Sequence, residues 1–324
     1  MHGDAKLTAV KNINGYLLDA PNVFIEQRRE VLFNALNPVT MGNMPRGTGL
    51  IIEADEVAPF FEDPIACKYV RKFLMGRELI NNGERYCLWM EDLLPEDVSK
   101  SDLLQQRIEA VRQFRLASRA KSTYDMAATP HLFGQRAFVP TGTYLGIPKV
   151  FSGMRSYASC DLLPPSVIPG DKVYVCDDPD GFQFAMISSK FFIVWQKAIG
   201  GRLKSDCSFS NTVVWNNFPV PNFSQDARQS IIDAGQVVLD ARSAHVGDSL
   251  AKMYDGISPM PENPSSSDLT KYDQRKYDDL RDAHMALDAA VEAAYGVNFA
   301  GDEEMIVTYL FKLYAEKSAN MSIE

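Results

Sequence analysis

Two rhythms of apolar and polar residues run along this chain, and the change from one to the other predicts its architecture. From Thr129 to Phe218, short apolar runs (YLGIPKVFS, DKVYVCDD, FQFAMISSK) are punctuated by Pro-Thr-Gly, Pro-Pro and Asp-Pro-Asp-Gly, which reads as strands joined by tight turns. One apolar helix interrupts them, SSKFFIVWQKAIGGRL, with a composition that predicts burial and a Gly200-Gly201 pair that marks its end. Beyond the Asn-Asn-Phe-Pro-Val-Pro stop at 216–221 the spacing becomes helical. SQDARQSIIDAGQVVLDARSAH has Ser224 as its N-cap, KYDDLRDAHMALDAAVEAAYG ends at Gly296, and GDEEMIVTYLFKLYAEK closes the chain. The Pro/Ser-rich stretch SPMPENPSSSD between the first two predicts an exposed linker.

The first hundred residues are broken by Gly and Pro, as in NINGYLLDAPNVFI and MGNMPRGTGLII, and predict short β-rich pieces. Within them Ile65, Tyr69, Phe73 and Leu74 fall at helical intervals, and ERYCLWM at 84–90 reads as a strand. Residues 101–121 predict a helix capped by Ser101, with Leu104, Ile108, Val111 and Leu116 as its apolar stripe. Arg107, Arg112, Arg115 and Arg119 lie beside that stripe, either as a solvated face or as phosphate contacts. The expected fold is α+β, with a β-rich domain holding embedded helices at 1–221 and an α-helical domain at 222–324. At 324 residues and 46% hydrophobic, the chain is long enough to bury a sizeable core and to form two domains.

Charge changes the picture only when it is resolved along the chain. A net charge of −9 argues against a nucleic-acid partner, because phosphate is bound by Lys and Arg. Yet residues 101–210 carry 13 basic and 9 acidic groups, whereas 251–324 carry 7 and 14, so the middle is mildly basic and the end is acidic. If DNA is the partner, much of the backbone affinity is expected from other parts of a larger protein. No run of eighteen apolar residues exists and the N-terminus MHGDAKLTAV lacks a signal-peptide layout, so a cytoplasmic location without a membrane partner is expected. Five cysteines without a Cys-x-x-Cys pair suggest neither a disulfide framework nor a zinc site.

Candidate chemistry is sparse. None of the four histidines is spaced with another as a metal pair, and no phosphate-binding glycine loop or nucleophile elbow occurs. A Cys207–His131 dyad stays open as the basis of a Cys-dependent hydrolase. Asn37-Pro38-Val39 lacks the second proline and the aromatic residue of a base-holding methyltransferase loop. In GRLKSDCSFS, Lys204, Asp206 and Ser208 occupy alternate positions, which on a strand places them on one face, away from Leu203, Cys207 and Phe209.

Several motifs together resemble a known family: NINGYLLDAP, GNMPRG, FLMGRELINNGERYCLWMED, RIEAVRQFRLASRAKST, AATPHLF, GRLKSDCSFSNTVVWNNFPVP and LRDAHMALDAAVEAAYG. In this order they are similar to the C-terminal part of MmeI-like DNA methyltransferases, type IIL/IIG restriction–modification enzymes in which cutting, methylation and target recognition share one polypeptide. The resemblance covers about Val10 to Glu316 and implies a target recognition domain followed by a helical domain. It also implies that methylation belongs to an S-adenosylmethionine-binding catalytic domain upstream, so that this chain holds no cofactor and transfers no methyl group alone. The partners so implied are double-stranded DNA and that catalytic domain, joined in cis or as a separate subunit. A different reading makes the acidic helical end a docking scaffold for such a subunit.

For the sites, the resemblance places base-contacting residues that vary with the target at the positions of Lys204 and Asp206. In the major groove Lys donates to guanine O6 and N7, and a carboxylate accepts from the cytosine amine, so the pair implies one G·C pair, with about 1–3 kcal/mol of discrimination per contact. Read without the resemblance, the two are a surface ion pair contributing about 0–1 kcal/mol. Ser208 joins them as a candidate reader. Lys172 is either a second reader or a surface lysine, and Arg155 either a DNA contact or a structural ion pair. Arg136 and Lys149 are candidates for the DNA backbone. Trp215, Phe218 and Phe223 are expected to be core anchors, and the two prolines a joint between domains.

Overall fold

The computed structural model describes residues 12–260 and 275–321; most of the expected linker and the first eleven residues lie outside them. The fold is α+β. Its strands are β1 (Thr40–Met41), β2 (Ile51–Glu53), β3 (Val70–Leu74), β4 (Arg85–Leu88), β5 (Tyr144–Pro148), β6 (Val150–Phe151), β7 (Asp161–Leu163), β8 (Val167–Pro169), β9 (Val173–Asp177), β10 (Gly201–Leu203) and β11 (Asp206–Ser208). They form three small sheets, ordered β1-β9-β5-β7, β2-β4-β3-β8 and β10-β11-β6. All pairs are antiparallel except β3 with β8.

The first half of the chain also holds the short helices α1 (Ala58–Glu62), α2 (Gly76–Asn81), α3 (Pro95–Lys100) and α5 (Lys121–Asp125) and the longer α4 (Asp102–Leu116). Ser101 caps α4 as expected, its Oγ accepting from the Leu104 amide at 3.3 Å. Next come α6 (Phe182–Ile187) and α7 (Lys190–Ile199), then α8 (Gln225–Ser243), α9 (Leu250–Gly256), α10 (Asp278–Tyr295) and α11 (Glu303–Met321). Ser224 caps α8, and Gly296 ends α10 in the left-handed conformation at φ 70°.

Three expectations about local structure are corrected. The helical spacing of Ile65, Tyr69, Phe73 and Leu74 does not make one helix: Val70–Leu74 is a strand with β4 on one side and β8 on the other. Partners on both edges satisfy its backbone groups, and this overrides a spacing that only four side chains support. FQFAMI is α6 rather than a strand, because the buried Asp178 carboxylate accepts from the amides of Gln183 at 3.1 Å and Phe184 at 2.7 Å and so starts a helix. Residues 12–39 contain no strand. That segment is held by side chains: Asn216 Nδ2 donates to the Arg28 carbonyl, Asn217 Nδ2 to the Glu26 carbonyl, and Arg28 Nε back to Asn217 Oδ1. The Asn-Asn-Phe-Pro-Val-Pro stop is therefore a staple for the N-terminal segment as well as a joint, and Trp215 and Phe218 are fully buried in it.

A single core joins the two halves of the chain. Leu145, Ile147 and Phe151 from the sheets, the apolar residues of α6 and α7, and Leu280, Leu287, Val291, Ile306 and Phe311 from α10 and α11 all belong to one cluster. A second cluster lies between the β2-β4-β3-β8 sheet and α4.

Of the four arginines beside the apolar stripe of α4, three are engaged within the protein, and Arg119 is exposed. Arg115 is fully buried while Leu116 is exposed, and its guanidinium donates to five carbonyls, those of Arg46, Met126, Thr129, Pro45 and Leu132, at 2.7–3.2 Å. All five donors are used without a carboxylate, so one cation ties together two chain segments, 45–46 and 126–132. Arg107 pairs with Glu56 and Arg112 with Glu109.

Where α7 meets α10, the polar groups are paired as completely. His284 is buried, with Nδ1 3.1 Å from the Ser188 carbonyl and Nε2 2.9 Å from the Tyr254 hydroxyl, and desolvation holds it well below its usual range, hence neutral. Asp288 accepts from the Lys190 amide at 2.7 Å, capping α7 from a neighbouring helix, and from the Tyr157 hydroxyl at 2.8 Å. Burial pushes its carboxyl up to about 6.

Two outcomes follow. Arg115→Met leaves five part-buried carbonyls without their donor and should lower the unfolding free energy in urea by about 2 kcal/mol or more; a change below about 1 kcal/mol contradicts this role. For Asp288, a folded-state value above the unfolded one near 3.9 means that its contribution is most favourable below pH 4 and is lost as pH rises toward 6. Asp288→Asn keeps an acceptor for Lys190 without the charge. The stability difference between parent and variant should therefore shift by about 2 kcal/mol in favour of the variant between pH 4.5 and 7.5; a shift in the opposite direction refutes it.

Candidate nucleic-acid interface

The stretch that carries Lys204, Asp206 and Ser208 is a β-hairpin, not one continuous strand. Leu203 pairs with Asp206, Arg202 with Cys207 and Gly201 with Ser208, leaving Lys204-Ser205 as a two-residue turn. Lys204 takes the left-handed φ of 57° at the first turn position. Two-residue hairpin turns require this geometry and usually fill it with Gly or Asn. The turn resets the alternation, so the expected face changes. Asp206 and Ser208 still share it, Leu203 joins them across the ladder, and Lys204 stands at the tip. The opposite face is inward: Cys207, Phe151 and Phe209 are buried.

Lys204 is exposed and Asp206 half-exposed, and among the described residues neither has an ion-pair partner, the other included. The surface ion pair that the bare sequence allowed is therefore not made.

The hairpin continues into a basic cleft. β11 pairs with β6, Ser208 lying opposite Val150. Just before β6, the Lys149 carbonyl accepts from the Phe209 amide while the Lys149 amide donates to the Lys172 carbonyl, both at 2.9 Å. Lys149 and Lys172 thus line, with Arg77, Arg85 and Glu78, a cleft of about 490 Å³ beside the hairpin sheet. Arg85 is braced by Glu53 at 3.0 Å and Glu78 at 3.5 Å, and Lys172 by Asp171 at 2.9 Å. Arg77 and Lys149 make no ion pair among the described residues. Sequence reasoning missed Arg77 and Arg85. Their stretches, MGRELI and GERYCL, carry no local signal, because only the pairing of β3, β4 and β8 brings them near β5 and β9.

Two other candidates lie elsewhere. Arg155 is not on the surface: its side chain is 7% exposed, Nε meets Asp255 Oδ1 at 3.1 Å, and Nη1 donates to Ser159 Oγ at 2.7 Å. Asp255 belongs to α9, so this is a buried structural ion pair between the recognition region and the helical region, and the DNA-contact reading of Arg155 is withdrawn. Arg136 pairs with Glu91 at 2.5 Å and donates to the Phe133 carbonyl, away from the hairpin and with much of its charge compensated.

Other chemistry finds no support. The Cys207 thiol is fully buried and pushed up by desolvation, the reverse of what a nucleophile needs. Asn37 serves structure, its carbonyl accepting from Trp215 Nε1 at 2.8 Å. No cluster of metal-ligating residues and no helix long and apolar enough to cross a membrane occurs among the described residues.

Comparison with known proteins agrees with this architecture. Residues 19–222 match the profile of the MmeI target recognition domain, and residues 223–322 that of the MmeI C-terminal domain. DNA methyltransferase A of Bacillus subtilis (strain 168) is 32% identical over 310 residues, which is 95% of this chain and 33% of that protein. A solved structure of the type IIL restriction–modification enzyme MmeI in complex with DNA superposes with a TM-score of 0.83 at 30% identity, over 96% of this chain and 39% of that one. The chain thus spans between a third and two fifths of the length of these relatives. With both matched profiles running almost end to end through it, the chain belongs to the MmeI family, in which it spans the target recognition and C-terminal domains.

Proposed function

We propose that this chain is the DNA sequence-recognition portion of an adenine-N6 DNA methyltransferase of the restriction–modification type. It reads base pairs in the major groove and positions DNA for a catalytic domain outside this sequence. The observation that carries the reading is the hairpin tip: a lysine occupies a left-handed turn position and an unpaired carboxylate follows two residues later, beside a cleft lined by four cations. A non-glycine residue in that conformation costs about 1–2 kcal/mol, a penalty that a glycine at this turn would avoid.

In this reading Lys204 donates to guanine O6 and N7, and Asp206 accepts from the cytosine N4 amine of the same base pair. Ser208, further along the same face, is available to either kind of base. Lys172, a candidate second reader by sequence, stands in the cleft paired with Asp171, and in this reading it joins Lys149 and Arg77 in neutralising phosphates there, which sets register rather than sequence. S-adenosylmethionine and the adenine chemistry belong to the separate catalytic domain, in cis or as another subunit, and the isolated chain transfers no methyl group.

Selection from a randomised duplex pool tests the reading. Exchanging the two residues, Lys204→Asp with Asp206→Lys, should invert the preference at one base-pair position by roughly 5- to 150-fold and leave the unfolding midpoint unchanged. An unaltered preference would mean that these residues are not the readers. Lys149→Ala and Lys172→Ala should instead weaken binding to all duplexes alike, each reducing the slope of log K against log salt by about 0.9. A sequence-selective loss in either variant contradicts the backbone role.

A further inference from the structure

The readout hairpin is not self-supporting. It has two strands of three residues each, and its only further strand partner among the described residues is the two-residue β6. An isolated hairpin of this size is marginal at best in water. Its tip rests instead on the turn after β6: a Cβ on Gly153 would lie 2.4 Å from the Ser205 carbonyl oxygen, so the two backbones touch there. That turn is closed by the Arg155 amide donating to the Ser152 carbonyl at 3.3 Å.

The turn is gripped from the helical domain. Asp255 on α9 accepts from Arg155 Nε, and Ser258, just beyond α9, accepts through Oγ from the Ser156 amide at 3.2 Å. Ser258 is fixed in turn by donating to the Tyr254 carbonyl at 2.6 Å. Immediately before α9, the Asp248 carbonyl accepts from Asn82 Nδ2 at 3.0 Å, at the end of the helix that carries Arg77. One short helix of the C-terminal domain therefore holds both the support of the hairpin and the far side of the basic cleft.

We infer that α9 is a specificity brace, in which Asp255, acting through Arg155, is a positioning residue for Lys204 and Asp206. The assignment rests on the reading of the hairpin as the base-contacting element. It assigns the C-terminal domain a part in sequence discrimination through support of the hairpin rather than through base contact of its own. Base readout needs donors held to within about half an ångström, and a hairpin whose support turn is released loses that placement while its residues stay unchanged.

Hydrogen–deuterium exchange of the whole chain tests the brace without DNA. In Asp255→Ala, the amides of Cys207 and Phe209 should exchange at least tenfold faster, while those of α8 and α10 move no more than in Leu287→Ala, a core variant of comparable global destabilisation. Asp255→Asn, which keeps an acceptor for Arg155 Nε, should return hairpin exchange to within about threefold of the parent. Ser258→Ala, the milder change, should show the same local acceleration should Asp255→Ala fail to fold. Hairpin exchange equal to that of the parent in Asp255→Ala, or in Ser258→Ala where Asp255→Ala does not fold, overturns the brace. In pooled-duplex selection the released variants should flatten the preference at the hairpin's base pair at least fivefold with the salt slope intact. A parent that shows no preference there refutes the base-reading role instead, and the exchange result still decides the brace.

Discussion

Helix α7 cannot exist without cover on every side. Phe191, Phe192, Ile193, Val194 and Trp195 are consecutive and buried over more than a full turn, so along that stretch no face of the helix is left for water. A helix that is apolar all round is stable only inside a core. Here one side of that core comes from the recognition sheets and the other from α10 and α11. Pro221 lies where the chain changes from sheets to helices, but the core runs straight past it. The two regions are consequently one mechanical body around α7, which is what allows a helix of the C-terminal region to stabilise a hairpin of the recognition region.

Polar groups at this junction follow the same logic. Arg155 with Asp255, His284 with Ser188 and Tyr254, and Asp288 with Lys190 and Tyr157 each bridge the two regions, and each is buried. Such pairs add little to stability compared with apolar packing, but they penalise any misplaced docking, because a shifted interface leaves a charge or donor unpaired. They fix geometry where packing alone tolerates sliding, and geometry is what base readout requires.

How much of this was legible in the sequence depended on the range of the interactions involved. Helices α4, α8, α10 and α11 were readable from period and caps, because Ser101, Ser224 and Gly296 act within one turn of their own position. The family was readable because its motifs occur in order along nearly the whole chain. Strand β3 and helix α6 were not, since strands on both edges decide the first and Asp178, which the sequence pattern assigns to the preceding strand, starts the second. Nor was the hairpin: Leu-Lys-Ser-Asp has none of the glycine or asparagine that marks a tight turn. Arg115 looked like a surface cation, and Arg155 stayed open between a DNA contact and a structural ion pair, because their partners, five carbonyls and one aspartate a hundred residues away, are brought together only by the fold. Of the candidate site residues, the structure sets Lys204, Asp206 and Ser208 on one hairpin and Lys172 and Lys149 in the cleft beside it, and buries Arg155 in an ion pair.

The central claim is that Lys204 reads guanine from the major groove. The most direct measurement uses the duplex recovered by pooled selection, with 7-deazaguanine replacing guanine at the base pair assigned to the hairpin. This removes the N7 acceptor and leaves Watson–Crick pairing intact. The account predicts that binding of the parent weakens by roughly 5-fold or more, while binding of Lys204→Ala, which has already lost that contact, does not change. Equal weakening of both proteins, or no weakening of the parent, would contradict it.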